Sequence, residues 1–152
     1  MIQFYSSKER PYGPFSNFSR HPITIDGVAY ATSEHYFQSR KFTDPEIQER
    51  VRHASTPMEA ANIGRDRSLP LRPDWDRIKD RVMYRALLAK FTQHSDLMAL
   101  LMNTGGEVLV EHTVNDRYWA DGGDGTGKNV LGLLLMILRT HLREQCWSGL
   151  EQ

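Results

Sequence analysis

The hardest constraint on this chain lies in residues 32–41, Thr-Ser-Glu-His-Tyr-Phe-Gln-Ser-Arg-Lys. The run contains no Gly or Pro and opens on two side chains able to cap a helix, Thr32 and Ser33, so the pattern predicts a helix beginning near Glu34. Tyr36, Phe37 and Phe42 then fall on different sides of the helical wheel. A helix with aromatics on several faces has to be buried on several faces, so other elements must wrap around it. At about 100° per residue, Glu34, Gln38 and Lys41 nevertheless share one stripe within roughly 60°. A carboxylate and an amine buried together would carry shifted pKa values and form a functional-site candidate. A solvated polar face with weak charge pairing is the other reading, and this segment alone leaves both open.

At 152 residues the chain has the usual size of one domain with one sizeable core, and residues 1–152 are read as a single unit. Nineteen basic residues cancel nineteen acidic ones, which argues against a bulk electrostatic grip on nucleic acid or on an anionic membrane; an anionic ligand must be met by a local site. The single cysteine, Cys146, can form neither an internal disulfide nor a cysteine metal cage. The first residues lack the basic start and apolar run of a signal peptide, and the apolar run at 130–138 is far short of the roughly 20 residues that span a bilayer. The expectation is a soluble, cytoplasmic protein.

Taken in order, residues 2–5 read as a short strand leading into a Ser-, Pro- and Gly-rich loop. In that loop, Phe15 and Phe18 would pin the chain to the core, and Asn17 is either a turn former or a ligand contact. Residues 23–30 alternate on both sides of Asp26-Gly27 and predict a hairpin. Asp44-Pro45-Glu46 starts a helix to about His53, and Thr56-Pro-Met-Glu59 forms a capping box for one ending at Gly64. Three arginines follow, of which Arg67 and Arg72 read as ordinary exposed residues. Arg65, next to a helix end, is the better phosphate candidate. Asp74 is expected to cap a helix from Trp75 to about His94, with Trp75, Ile78, Val82, Ala86 and Ala89 as core. Ser95 is expected to cap another ending near Asn103, and residues 107–113 read as a strand. Cys146 and Trp147 could serve packing or an interface.

The second chemically loaded stretch, residues 115–129, holds four glycines, three acids and a Trp, and runs into an apolar helix from Val130 to about Glu144. Such a loop can offer backbone N–H groups to an anion. Lys128 opposes the helix macrodipole, a penalty that a bound anion would reverse. Residues 122–129 approach a P-loop, but Asn129 stands where Ser or Thr should bind magnesium, and the preceding loop is acidic. Rossmann spacing is absent. The six histidines show no metal-binding spacing, and no nucleophile elbow occurs. The candidates reduce to Glu34, Lys41, Trp119, Asp121 and Lys128.

Phe15-Ser-Asn-Phe18, Ser33-Glu-His-Tyr-Phe-Gln38 with Lys41-Phe42, Gly64-Arg-Asp-Arg67, Tyr118-Trp-Ala-Asp-Gly-Gly123, and Gly127-Lys-Asn129 with Leu131-Gly132 occur together and in this order. In this combination the chain resembles the NADAR family over nearly its whole length. The resemblance implies an α+β domain, mostly helical, with a few short strands. It also implies an N-glycosidase that cleaves the bond between a ribose carbon and an aminated pyrimidinone or uracil in phosphoribosylamino intermediates of riboflavin synthesis. Related members are linked to NAD and ADP-ribose chemistry, including removal of ADP-ribose from guanine. A modified base is therefore the one nucleic-acid substrate in view.

Under that resemblance, Glu34 and Asp121 form the acid pair that stabilises an oxocarbenium-like transition state and assists the leaving group. Lys41 could instead attack the opened sugar carbon and form a Schiff base. Trp119 and Phe18 would stack on the base, and Asn17 would read its polar edge or the ribose. Arg65, Lys128, Asn129 and the Gly122 loop would surround the phosphate. The scheme needs no cofactor or metal. A non-catalytic module binding ADP-ribose or a phosphoribosyl metabolite is the competing class, and only the enzyme requires Glu34, Asp121 and Lys41 to converge on one sugar carbon.

Overall fold

Helix α1, Ser33–Ser39, is the element the others enclose, and every residue in it is buried. In the computed structural model, which describes residues 1–149, Thr32 caps this helix by accepting the His35 N–H on its side chain. Lys41 lies just past the helix end, in the turn closed by its own N–H on the Gln38 carbonyl at 3.2 Å. Three apolar clusters meet at this one segment. Phe37 enters the largest, with Trp75, Leu87, Leu131 and Leu135. Tyr36 enters the second beneath the hairpin, and Phe42 enters the third with Val51, Ala60 and Ile63. The aromatics on different sides of the helix therefore reach different cores, which is why this short helix is buried all round.

The hairpin forms from β2, Ile23–Ile25, and β3, Val28–Tyr30, in antiparallel register with Ile25 opposite Val28. Asp26 and Gly27 both take positive φ, 52° and 76°, as a two-residue turn of this hand requires. Strand β1, Ile2–Phe4, pairs in parallel with β4, Leu109–Glu111. A parallel pair needs a crossover, and most of the chain lies between these two strands.

Helices α2, Pro45–Arg52, and α3, Pro57–Gly64, are capped by Asp44 and Thr56 and carry Pro in the first turn, as the sequence predicts. Two other caps differ. Asp74 makes no cap bond to α4, Trp75–Gln93, because Arg72 holds its carboxylate at 2.7 Å. Helix α5, Ser95–Asn103, contains Ser95 as its first residue after a His94 cap without a side-chain bond. In α4, Trp75, Ile78, Ala86 and Ala89 are buried and Val82 is partly buried against them. Helix α6, Val130–Ser148, runs one turn beyond the expected end and buries Leu131, Leu135, Leu138 and Leu142 along one face. Cys146 is exposed, and the side chain of Trp147 lies outside the described part of the structure. Among the described residues no helix is long and apolar enough to cross a membrane.

Candidate active site

A cleft of about 720 Å³ opens where α1 passes the carboxyl ends of β1 and β4. Tyr5, Ser6 and Ser7 follow β1 into its rim, and Glu111 enters it from the last position of β4. Parallel strands commonly present such a crevice beyond their carboxyl ends, where loops diverge.

Glu34 forms the floor. Its carboxyl is buried, and Gln38, one turn on, donates to it at 2.7 Å. Burial pushes the Glu34 pKa up, while the Gln38 bond and the Lys41 and Arg65 cations oppose that shift. Gln38 is itself pressed against Gly64 at the end of α3, where a Cβ would collide with its amide oxygen. That oxygen is buried without a hydrogen-bond partner. The absence of a side chain at position 64 is thus what lets Gln38 reach Glu34. Lys41 Nζ donates to the Gly64 carbonyl at 3.4 Å and stands 5.9 Å from the ring centres of both Phe37 and Trp75. Burial lowers its pKa to about 8, against the pull of Glu34, while the positive charges of Arg65, Arg67 and Lys79 lower it further.

A second acid, half-buried, lines the same cleft. Glu111 has its pKa raised to about 8, by burial first and then by the negative charges of Asp116 and Glu34. No cation offsets these effects, unlike at Glu34. Burial is the first cause at both acids and favours the protonated form of each, while the Lys41 and Arg65 charges favour ionisation at Glu34 alone. Asp116 completes an acidic floor, and its Oδ1 accepts the N–H groups of Tyr118 and Trp119 at 2.8 and 2.7 Å, fixing that corner.

The opposite wall is apolar and amide-bearing. Phe18 and Trp119 line it, and Trp119 packs edge-on against Phe37 at 5.3 Å between ring centres. Asn17 accepts the Ser33 hydroxyl at 2.7 Å on its Oδ1, and its carbonyl accepts the Glu34 N–H at 3.3 Å, which ties this wall to the start of α1. Behind it Lys90, fully buried, donates to the Ser16 carbonyl at 2.9 Å; burial lowers its pKa to about 7. Arg65 lines the mouth.

Of the residues singled out from sequence, Glu34, Lys41, Asn17, Phe18, Arg65 and Trp119 thus come together on one cleft. Asp121, Gly122, Lys128 and Asn129 do not line it. The Asp121 carboxylate accepts from His112 at 2.7 Å, from the Gly123 N–H at 2.8 Å and from the Thr113 N–H at 3.2 Å, and the His112 contact above all holds its pKa low. It is a loop clasp, and the acid beside Glu34 is Glu111. Asn129 likewise clasps β4, accepting the Glu111 N–H and donating to the Leu109 carbonyl. The N–H groups expected to cradle an anion are already committed within the loop. Gly122 donates to Asp116, Gly127 to Asp121, Lys128 to Arg117 and Val130 to Tyr118. Lys128 Nζ sits 5.4 Å from the Tyr118 ring centre on an exposed surface.

Sequence reasoning missed Glu111, Asp116 and Lys90. A signal existed for Glu111, an acid in the middle of an apolar strand pattern, but its meaning depends on the parallel partner β1, which no local pattern reveals. Lys90 lies within the apolar turns of α4 with no acid at helical spacing to hint at its buried role. Among the described residues no three His, Cys, Asp or Glu side chains are grouped to hold a metal ion.

A family model described as NADAR domain matches residues 3–143. The chain is 56% identical over 142 residues to N-glycosidase YbiA of Escherichia coli strain K12, covering 93% of this chain and 88% of that protein. The NMR structure of E. coli YbiA superposes with a TM-score of 0.90 at 54% identity, over 96% of this chain and 86% of that one. A protein of Vibrio vulnificus strain YJ016 named riboflavin biosynthesis protein VVA0006 is 38% identical over 151 residues, covering 99% of this chain and 41% of that protein.

Proposed function

The chain belongs to the NADAR domain family and is an N-glycosidase, and we propose that it hydrolyses phosphoribosylamino intermediates of riboflavin synthesis to free base and ribose 5-phosphate. The observation that carries this reading is that Glu34, Glu111 and Lys41 line one cleft, with the charge of Glu34 felt at both Glu111 and Lys41. The riboflavin assignment draws support from the name of the Vibrio relative.

In the proposed reaction the base lies against Trp119 and Phe18, and the ribose anomeric carbon faces the acids. Protonated Glu111 gives its proton to the glycosidic nitrogen as the C–N bond breaks, and the bonding pair leaves with the base. Positive charge then grows on the anomeric carbon and ring oxygen, where the Glu34 carboxylate opposes it in a site shielded from bulk water. Glu34 accepts a proton from the water whose oxygen bonds to that carbon. The Lys41 charge favours the ionised form of Glu34 against its burial, and Gln38 fixes its orientation.

Purified protein incubated with a phosphoribosylamino pyrimidine should release free base and ribose 5-phosphate in equal amounts, and should do so faster than it releases base from ADP-ribosylated guanosine. Cleavage of the guanosine adduct without cleavage of the pyrimidine would overturn the substrate assignment.

A further inference from the structure

Beside the main cleft lies a second cavity of about 350 Å³, which shares Phe37, Lys41, Asp116 and Trp119 with it. Its own wall carries two cations, Arg67 and Lys79, beside one acid, Asp76. Lys41 stands at the seam between the two. We propose that this side cavity is the subsite for the 5′-phosphomonoester of the ribosyl substrate, with Arg67 and Lys79 as its ligands; the proposal rests on the reading of the main cleft as the place where the ribosyl bond is cleaved.

Three observations lead here. The floor of the main cleft carries Glu34 and Glu111, which the side cavity lacks, and a phosphate dianion set against them would be repelled. Most N–H groups of the glycine-rich loop are already directed at its own carbonyls and carboxylates. The side cavity, in contrast, holds positive charge without a matching structural role. Among the described residues Arg67 has no carboxylate within ion-pair distance. Lys79 pairs at 3.2 Å with Asp76, whose carboxylate is 94% exposed, so that contact is screened by water and readily exchanged. The Tyr118 ring, 4.0 Å from Lys79 Nζ, holds the ammonium in place.

The phosphate of a ribose 5-phosphate hangs from the side of the ring away from the anomeric carbon, so a sugar whose reacting carbon faces Glu34 projects it past Lys41. The site is then bipolar. Acids face the carbon that becomes positive, and bases face the group that is already negative. Arg67, which reads from sequence as an ordinary surface arginine, gains a ligand of the geometry its guanidinium fork suits.

The test is a binding titration, followed by NMR, of the wild-type chain and of the Arg67→Ala, Lys79→Ala and double variants with ribose 5-phosphate, with ribose and with ADP-ribose. Each single change should weaken ribose 5-phosphate binding about tenfold to a hundredfold, the range of one lost charge-assisted hydrogen bond, and the double change should weaken it further. Ribose binding should not follow. Arg67→Lys should recover part of the loss. No preference of the wild-type chain for ribose 5-phosphate over ribose, or parallel loss of both ligands in the variants, would overturn the proposal. Loss confined to ADP-ribose would overturn the assignment to a phosphomonoester. Phosphate-dependent binding in a chain that releases no base would support the subsite while refuting the hydrolase reading.

Discussion

The segment at 32–41 and the glycine-rich loop at 115–129 look equally chemical in sequence, yet the first delivers Glu34, Gln38 and Lys41 to the cleft while the second delivers Asp116 and Trp119 and keeps Asp121 and Lys128 out of it. Both carry at least one carboxylate, an amine and two aromatics. The difference lies in what satisfies their polar groups. In the helix, Glu34 has one amide donor and otherwise depends on nearby cations, so its charge state is strained by burial. In the loop, Asp121 has three donors, and successive N–H groups close on loop carbonyls, so the same residue types make a rigid clasp. Buried polar groups with full partners specify structure, whereas incompletely satisfied ones are available for chemistry. The loop also serves the site, directly by placing Asp116 and Trp119 on its lining and indirectly by pinning β4 through Asn129.

The sharpest way to break this contrast is at Glu111. Glu111→Gln should lower base release about 10² to 10⁴-fold at neutral pH, the usual worth of a general acid, with the fold intact. In the wild-type chain kcat/KM should fall as pH rises through about 8, where Glu111 loses its proton and Lys41 its charge. A rate that rises through that pH would point to the neutral Lys41 amine as nucleophile. Stability should move with it. The folded Glu111 carboxyl holds its proton more tightly than the unfolded chain does, so its contribution is fully present below about 4.5 and is lost as pH rises through about 8. Glu111→Gln should accordingly flatten the decline of melting temperature across that window.

A smaller effect is expected at Gly64. The added methyl of Gly64→Ala would push Gln38 off Glu34, and kcat should fall about tenfold, equivalent to roughly 1.4 kcal/mol of barrier. An unchanged kcat would mean that Gln38 does not orient the carboxyl. Asp121→Asn should reverse the pattern. Melting temperature drops because the His112 contact and the loop clasp weaken, while the rate per folded molecule stays within a few-fold. The smallest effect belongs to Lys128→Ala, expected within about twofold in kcat/KM because an exposed ammonium over a ring is worth little. A large loss there would restore the loop as the phosphate end of the site.

How much of this was legible beforehand follows the range of the interactions. The hairpin, the α2 and α3 caps and the multi-sided burial of α1 depend on neighbours in sequence and read directly from it. Helical spacing picks out Glu34 and Lys41, even though Lys41 lies two residues past the helix end. Asp74 failed as a cap because Arg72 competes for its carboxylate. Glu111 and the basic side cavity depend on the parallel pairing of β1 with β4 and on the approach of Arg67 to α4, contacts between distant segments that no local pattern encodes.

The central claim is that Glu34 carries the chemistry of an otherwise intact cleft. The most direct measurement is base release from a phosphoribosylamino pyrimidine by Glu34→Gln beside the wild-type chain, with ribose 5-phosphate binding followed in the same samples. A loss of about 10² to 10⁴-fold in rate with binding retained is the predicted result. A variant that releases base at near wild-type rate would contradict it.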